Sequence, residues 1–213
     1  MTIRIAVVAA NGKAGRLIVE EAVARGLDVT AVVRGENRTA APNAIVKDLF
    51  DLTAADLAGF DVVVDAFGAW TAETLPQHST TLAHLADILS GTDTRLLVVG
   101  GAGSLYMDRE HTVQLSQTEG FPEAFVPLAT AMGEALAELR GRTDVKWTYV
   151  SPAADFQADG ERTGAYVLAG EEFTADAQGA SAISYADYAV AMIDEAVAAP
   201  SDAHVGKRIS VRW

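Results

Sequence analysis

The feature that most constrains this chain lies in residues 3–34, where an apolar run passes through a glycine turn into an amphipathic helix and a second apolar run. Residues 3–9 are rich in Ile and Val, which is typical of a strand buried on both faces of a parallel sheet. Apolar residues then recur at helical spacing as far as Gly26, where we expect a left-handed helix cap, and residues 28–33 form the next strand. The stretch predicts one strand, helix, strand unit.

The turn inside this unit has a chemical use. A helix that begins directly after a buried strand presents unpaired backbone N–H groups and the positive end of its dipole, where a pyrophosphate can bind. The pattern is A-x-x-G-x-x-G from Ala9, in which Gly12 lets the backbone approach a phosphate and Gly15 lets the helix pack on the strand. A tight turn without a ligand is the alternative. Cofactor contacts are predicted at Ala10, Asn11, Gly12, Lys13, Ala14 and Gly15.

The residue at the end of the second strand distinguishes the two nicotinamide dinucleotides. An Asp or Glu there accepts hydrogen bonds from the ribose hydroxyls of NAD(H), and it repels the 2′-phosphate of NADP(H). This chain has Arg34 at that point, and Arg38 follows four positions later, so that two cations can flank a phosphate. A solvated surface arginine is the alternative. The sequence therefore favours NADPH as the cofactor, with NADH possible.

Composition bounds the domain organisation and the kinds of partner. The 213 residues suffice for one well-packed core, so we expect a single NAD(P)-binding domain over 1–213. A formal net charge of −13 argues against nucleic acid and anionic membranes as partners. The absence of cysteine excludes disulfides and thiolate sites, and no metal site is expected. Without a signal peptide or a long apolar run, the protein is expected to be cytoplasmic, as a monomer or homodimer.

Strands and helices alternate along the rest of the chain. This alternation predicts an α/β fold with a single doubly wound parallel sheet, the Rossmann fold, and a small irregular C-terminal subregion on the substrate side. Residues 105–127 and 152–182 show no clean period and are predicted to be substrate-side loops. Further strands are predicted at 44–47, 61–67, 95–99, 146–151 and 207–213, and helices at 53–57, 73–90, 128–140 and from Ser184 onward, where Ser184 and Asp187 form a capping pair. His78 and His84 lie six apart and do not share a helix face, so they are expected to be surface or packing histidines and not metal ligands.

The carboxyl ends of the predicted strands supply further candidate site residues, because ligands of doubly wound sheets bind outside those ends. Asp48 can accept a hydrogen bond from the adenine amine, or it only caps a turn. The three glycines of GGAG (100–103) suggest that backbone approaches the nicotinamide. Tyr106 or Phe121 offers an aromatic face to a flat acceptor. The remaining cofactor contacts are predicted at Asp48, Leu49, Ala66, Phe67, Gly68, Gly100, Gly101, Ser151, Pro152 and Ala153.

Motifs spread over nearly the whole chain resemble one family. They are ANGKAG (10–15) with Arg34, KDLFDL (47–52), DVVVDAFG (61–68), RLLVVGGAGSL (95–105), WTYVSP (147–152), GERTGAY (160–166) and ISYADYAVAMIDE (183–195). The chain resembles the atypical short-chain dehydrogenase-like NAD(P)H-binding proteins, often described as NADH-flavin reductases. That resemblance implies a doubly wound domain, a bound dinucleotide, and a relation to NmrA-like proteins and to biliverdin and flavin reductases.

The chain departs from these relatives at residues that perform chemistry. The Tyr-x-x-x-Lys pair of short-chain dehydrogenases is missing, since none of the five tyrosines is followed by lysine four residues later. A serine that biliverdin-reducing relatives have after the fifth strand aligns with Ala102, and SPAADF (151–156) lacks their histidine. Ser104 and Asp155 are the nearest polar substitutes. We expect Ser104 to orient the acceptor and Asp155 to relay a proton through water.

Two functions from different classes fit these observations. The first is a reductase that transfers hydride from the dinucleotide to a planar conjugated small-molecule acceptor such as a flavin or quinone, with the flavin a substrate rather than a prosthetic group. Such an acceptor needs little more than orientation and exclusion of water. The second is a catalytically inactive, dinucleotide-binding regulatory or redox-sensing protein of the NmrA-like type.

Overall fold

The computed structural model describes residues 3–213 of the chain. The strands are β1 (Arg4–Val8), β2 (Asp28–Val33), β3 (Asn43–Val46), β4 (Val62–Asp65), β5 (Arg95–Val99), β6 (Lys146–Ser151), β7 (Asp155–Gln157), β8 (Val167–Ala169), β9 (Ala182–Ser184) and β10 (Lys207–Arg212). The helices are α1 (Lys13–Ala24), α2 (Gln77–Leu89), α3 (Val126–Arg140) and α4 (Tyr185–Val197). Within this described part, no helix combines the length and apolar character needed to cross a bilayer.

Eight strands form the central sheet in the order β3-β2-β1-β4-β5-β6-β10-β8. The neighbours from β3 to β10 run parallel, and the edge strand β8 runs antiparallel to β10. The chain moves outward from β1 to β3 and then returns to place β4 on the other side of β1. This reversal of strand order confirms the doubly wound α/β fold, and it puts the ligand-binding crevice at the carboxyl ends of β1 and β4.

Helices cover both faces of the sheet, and each face has its own apolar core. Helices α1 and α4 pack on one face, where Val7, Ile18 and Met192 are fully buried. Helices α2 and α3 cover the other face, where the buried side chains include Leu85 and Tyr149. Because neighbouring side chains of a strand point to opposite faces, β6 contributes to both cores.

Three parts of the sequence-based prediction of secondary structure are wrong. The helix predicted to begin at residue 73 begins only at Gln77, because residues 72–76 form turns. The Thr-x-x-Asp signal at Thr53 does not start a helix over 53–57. Residues 54–59 form turns and a bend instead, and a short 3₁₀ helix lies earlier at Leu49–Asp51. The carboxylate of Asp56 accepts hydrogen bonds from the backbone N–H and the hydroxyl of Thr53, as a cap does, but it also pairs with Lys47. The sheet is also not wholly parallel, because the edge strand β8 runs antiparallel to β10. Strand β8 lies in the 152–182 segment that was predicted to be irregular.

A buried carboxylate on α4 explains the GERTGAY motif. Asp187 is fully buried and accepts hydrogen bonds from the backbone N–H groups of Thr163 and Gly164, from the Thr163 hydroxyl and from the Trp213 indole. Burial raises its pKa, but these hydrogen bonds outweigh burial and lower the pKa overall. The capping pair predicted at the start of α4 is present, since the Ser184 hydroxyl accepts from the N–H of Asp187 at 2.9 Å. The motif therefore anchors the loop over residues 160–166 to the core.

Candidate dinucleotide site

The turn between β1 and α1 is tight enough to exclude side chains. The N–H of Gly12 donates to the carbonyl of Ala9 at 2.9 Å. A Cβ added to Gly15 would lie 2.8 Å from the Ala9 carbonyl oxygen and 2.9 Å from the Ala10 Cα, so only glycine fits where the helix meets the strand. Ala9 has a positive φ of 56°, a conformation that glycine adopts more easily. The turn thus has the geometry of a glycine-rich loop, although Ala9 occupies the position of the first glycine.

The N-terminus of α1 suits the pyrophosphate of a dinucleotide. Gly12 caps the helix in an extended conformation, and no side chain accepts a hydrogen bond from the first turn. The first turn carries no acidic residue, and Lys13 begins it. The N–H groups of Lys13 and Ala14 precede the first helical hydrogen bond, which runs from Arg16 to Gly12, so they point out of the helix as free donors.

Asn11 has a structural task that the sequence did not indicate. Its side-chain amide donates to the carbonyl of Glu36 at 2.9 Å, and its side-chain oxygen accepts from the backbone N–H of Arg38 at 2.9 Å. Asn11 therefore fastens the loop after β2 to the glycine turn. Arg34 and Arg38 are exposed, and no ion pair formed within residues 3–213 involves either. The anchored loop carries two available cations beside the helix N-terminus.

At the end of β3, Asp48 caps a turn, and its hydrogen bond to an adenine amine stays a prediction. Its carboxylate accepts a hydrogen bond from the backbone N–H of Phe50 at 3.0 Å and caps the short 3₁₀ helix. Leu49 is buried in the core, whereas the Phe50 ring is 47% exposed. The Asp48 carboxylate has a second oxygen, so the cap leaves room for a further hydrogen bond.

The end of β4 combines an open backbone with buried anchors. A Cβ on Gly68 would meet no atom closer than 3.5 Å, and Gly68 is exposed, so internal packing gives no reason for glycine there. Asp65 accepts from the backbone N–H of Phe67 at 3.0 Å. His78, which is buried on α2, contacts the backbone of Ala69 through Nε2, 3.1 Å from the carbonyl oxygen. The backbone after β4 is therefore anchored by the buried side chains of Asp65 and His78, and it is open to solvent at Gly68.

Asp65 also lines a small cavity between the sheet and helices α2 and α3. His78, Thr81, Met132 and Tyr149 line the same cavity. Burial raises the pKa of Asp65 to about 6, and the hydrogen bond from Phe67 offsets only part of this effect. Burial likewise raises the pKa of Tyr149 to about 12. Sequence analysis missed this cluster, although an acidic residue at the end of the apolar run DVVVDAF was a signal for it.

The glycines after β5 have a packing role. A Cβ on Gly100 would lie 2.2 Å from the Tyr149 ring, and one on Gly101 would lie 2.9 Å from the Met132 sulfur. Gly103 is equally restricted by Ala129 on α3, at 2.5 Å. The close approach of α3 and the Tyr149 ring accounts for the glycine-rich GGAG sequence without a ligand. The backbone of Gly100 and Gly101 still lies at the carboxyl edge, where a nicotinamide would bind.

The polar candidates beyond β5 and β6 differ in how they are held. Ser104 is buried and accepts a hydrogen bond from the Arg208 guanidinium at 2.9 Å. At the end of β6, Ser151, Pro152 and Ala153 are buried, and the Ser151 hydroxyl has no hydrogen-bond partner within residues 3–213. Asp155 is exposed and accepts from the Gln157 side chain at 2.6 Å. The Ser104 hydroxyl keeps its own proton to donate.

Both aromatic candidates for an acceptor platform already pack against other groups of the protein. The Tyr106 ring stacks on His111 with a centroid distance of 4.3 Å and an interplanar angle of 7°. The Arg208 guanidinium lies 5.6 Å from the Tyr106 centroid. The end of the Phe121 ring lies 3.6 Å from the Cβ position of Gly103. Neither ring is an obvious free surface.

His78 and His84 bond to backbone groups, as expected of packing histidines, and residues 3–213 contain no group of three or more potential metal ligands.

Comparison with known proteins decides the family. The sequence model of the NAD(P)H-binding family matches residues 9–196, which include the glycine turn, strands β2 to β9 and all of α4 except its last residue. The chain belongs to this family. Its members share the dinucleotide-binding fold, and the resemblance to atypical short-chain dehydrogenase-like proteins is confirmed.

Two relatives with solved structures share the fold, and their names suggest different reactions. A "putative NADH-flavin reductase" from Streptococcus pneumoniae is 53% identical, with 99% of each chain covered and a TM-score of 0.94. A "putative epimerase" from Bacteroides thetaiotaomicron is 33% identical, covering 100% of this chain and 98% of that one, with a TM-score of 0.84. The "Uncharacterized protein YwnB" of Bacillus subtilis (strain 168) is 42% identical over 194 residues, which are 90% of this chain and 91% of that protein. The first likeness supports an oxidoreductase.

The positive φ of Ala9 generates a stability prediction. A left-handed alanine costs about 1–2 kcal/mol, whereas a glycine costs about 0.4–1 kcal/mol in the entropy of the unfolded chain. We expect Ala9→Gly to raise the free energy of unfolding slightly, by up to about 1 kcal/mol, in urea denaturation. The matched change Ala10→Gly, at the adjacent and fully buried position, should lower it. An equal loss in both variants would contradict the strain assigned to Ala9.

The buried carboxyl of Asp65 generates a pH prediction. Because its pKa is raised in the folded state, its contribution to stability is complete below pH 3.8 and is lost as the pH rises through about 6. Asp65→Asn removes this pH-dependent loss of stability, because the amide does not ionise, and the amide oxygen can still accept the hydrogen bond from the N–H of Phe67. Between about pH 4 and pH 7, we expect the free energy of unfolding of the variant to gain about 2–3 kcal/mol relative to the wild type. Glu20→Gln, an exposed change on α1, should show no such trend, and a constant difference for Asp65→Asn would contradict the assignment.

Proposed function

We propose that this protein is an NADPH-dependent reductase that transfers hydride to a planar conjugated acceptor such as a flavin or quinone. The flavin is a substrate in this proposal and not a prosthetic group. One observation carries the proposal: within residues 3–213, the carboxyl edge of the sheet offers an open site for a dinucleotide, whereas its buried polar groups Asp65, His78 and Ser104 are bonded to the protein itself and not placed as a general acid for a carbonyl oxygen. The name of the Streptococcus pneumoniae relative supports the same reaction class.

The polar groups at this edge are mainly committed to holding the backbone. Asp65 and His78 are buried beneath the segment after β4, and Ser104 is bonded to Arg208. A carbonyl substrate needs a general acid positioned within hydrogen-bond reach. A conjugated ring accepts hydride at an electrophilic atom and can take its proton from solvent, so orientation suffices.

Each part of the chain has a defined task in this proposal. The bound dinucleotide supplies the hydride, and the N–H groups at the start of α1 hold its pyrophosphate. The open backbone at Gly68 and the carboxyl ends of β5 and β6 receive the nicotinamide half, with the loop over 105–127 excluding water. Ser104 can donate its hydroxyl proton to an acceptor oxygen, and Asp155 is exposed where it can relay a proton through water.

The preference for NADPH rests on charge at the end of β2. Arg34 and Arg38 are exposed there without a carboxylate partner among the described residues, and the side chain of Asn11 holds their loop against the glycine turn. A guanidinium pairs with the 2′-phosphate through charge-assisted hydrogen bonds, which the ribose hydroxyl of NADH cannot reproduce.

Turnover tests the proposed reaction directly. We expect the purified protein to oxidise NADPH, followed by its absorbance, when riboflavin, FMN or a quinone is added, and not when simple aldehydes or ketones are added. The reason is that only a conjugated ring can accept hydride without a positioned acid. Tight binding of NADPH with no turnover on any of these acceptors would overturn the reductase and favour the regulatory, redox-sensing alternative.

Cofactor choice is tested at Arg34. Arg34→Ala should weaken NADPH binding by about 1.5–3 kcal/mol, because a charge-assisted hydrogen bond to the phosphate is lost, and should leave NADH binding nearly unchanged. Isothermal titration with each dinucleotide measures both effects. Arg16→Ala, which removes an exposed arginine in the first turn of α1, is the matched control. It should preserve the ratio of the NADPH and NADH dissociation constants. Equal weakening of both cofactors by Arg34→Ala would remove the basis for NADP specificity.

A further inference from the structure

An exposed indole stands at the edge of the sheet where the acceptor would bind. We propose that Trp70 is the platform on which the flat ring of the acceptor stacks. This inference rests on the proposed function, because it names the side chain that recognises the acceptor of that reaction. Trp70 is 69% exposed, a higher fraction than any other large hydrophobic residue described as exposed in residues 3–213.

The exposure of Trp70 does not come from a loose loop. Its neighbour Ala69 is only 5% exposed, and the buried ring of His78 lies 3.1 Å from the Ala69 carbonyl and 3.4 Å from the Ala69 N–H. One residue further on, the backbone N–H of Thr71 donates to the hydroxyl of Thr74. The backbone is thus anchored on both sides of Trp70. An anchored backbone that presents a large apolar ring to solvent gives up the free energy of burying it, and such exposure marks binding sites.

The indole borders the open space above β4. Trp70 Nε1 lies 3.5 Å from the Cβ position of Gly68, and no other atom comes within 4 Å of that position. Strand β4 lies between β1, whose turn would hold the pyrophosphate, and β5, whose carboxyl end would receive the nicotinamide. A ring stacked on Trp70 would therefore lie beside the reacting half of the dinucleotide.

Other aromatic side chains at this edge are less suitable. Tyr106 has one face covered by His111, and Phe121 packs against the backbone near Gly103. Phe50 is exposed, but it follows β3, which is three strands away from β4 and therefore separated by roughly 14 Å. Trp70 combines an exposed ring with a position next to the open backbone.

The chemistry of the indole selects the class of acceptor. A flat aromatic face stacks on another flat, conjugated ring, and it offers no charge to recognise a phosphate or a carboxylate. The ligand that fits is a neutral or weakly charged polycyclic ring of the isoalloxazine type. Riboflavin is the suitable probe, because it carries this ring without a phosphate and so separates stacking from electrostatic attraction.

Riboflavin fluorescence, which stacking on an indole quenches, provides a binding assay without turnover. The full chain is saturated with NADP⁺ and titrated against riboflavin for the wild type, Trp70→Ala, Trp70→Phe and the control Phe50→Ala. We expect Trp70→Ala to raise the riboflavin Kd about fivefold or more, Trp70→Phe to raise it by no more than about twofold, and Phe50→Ala to leave it unchanged. The quenching at saturation should also fall in both Trp70 variants. NADPH affinity should stay the same in all four proteins, which confirms that each is folded.

The outcomes separate this inference from the proposed reaction. An unchanged riboflavin Kd in Trp70→Ala would overturn the platform, whether or not the protein reduces flavins. An equal rise in the NADPH and riboflavin constants of Trp70→Ala would also overturn it, because the indole would then contact the dinucleotide. Trp70-dependent binding of riboflavin without any NADPH oxidation would support the platform and overturn the reductase.

Discussion

The contact between α1 and β1 sets the arrangement of the rest of the structure. A Cβ at Gly15 would lie 2.8 Å from the Ala9 carbonyl, so the helix can rest on the strand only with glycine there. This close packing makes the helix begin within a few residues of the strand's end, and its free N–H groups lie at the carboxyl edge of the sheet. The reversal of strand order places β4 beside the same point. A dinucleotide site is the direct consequence of these two facts.

Polar side chains, most of them buried, fix the backbone around this site. Asp65 and His78 hold the segment after β4, Asn11 fastens the loop after β2, and Arg208 binds Ser104 after β5. At Asp65 the burial of the carboxyl costs free energy that its hydrogen bond offsets only in part, as its raised pKa records. In return the loops at the carboxyl edge are held in one arrangement.

The sequence predicted the fold well because the strongest patterns are local and continuous. Strands β2, β5 and β6 have the predicted bounds, since each begins at a charged residue and continues as a run of mostly strand-forming residues. Thr53 misled the prediction because its cap partner Asp56 stabilises a turn equally well. Strand β8 was missed because three partly exposed residues have no periodicity of their own and pair only through the tertiary fold.

The candidate site was less predictable, for a physical reason. Glycine patterns report where backbones come close, but not whether a ligand or a side chain is the neighbour. Gly12 and Gly68 are exposed, as contact with a ligand requires. The space beside Gly100 is occupied by the Tyr149 ring, and the space beside Gly103 by Ala129. The most direct measurement is a crystal structure with NADP⁺ bound. Our account predicts the pyrophosphate on the first N–H groups of α1, the 2′-phosphate at Arg34 and the nicotinamide above Gly68. A pyrophosphate bound away from α1 would contradict it.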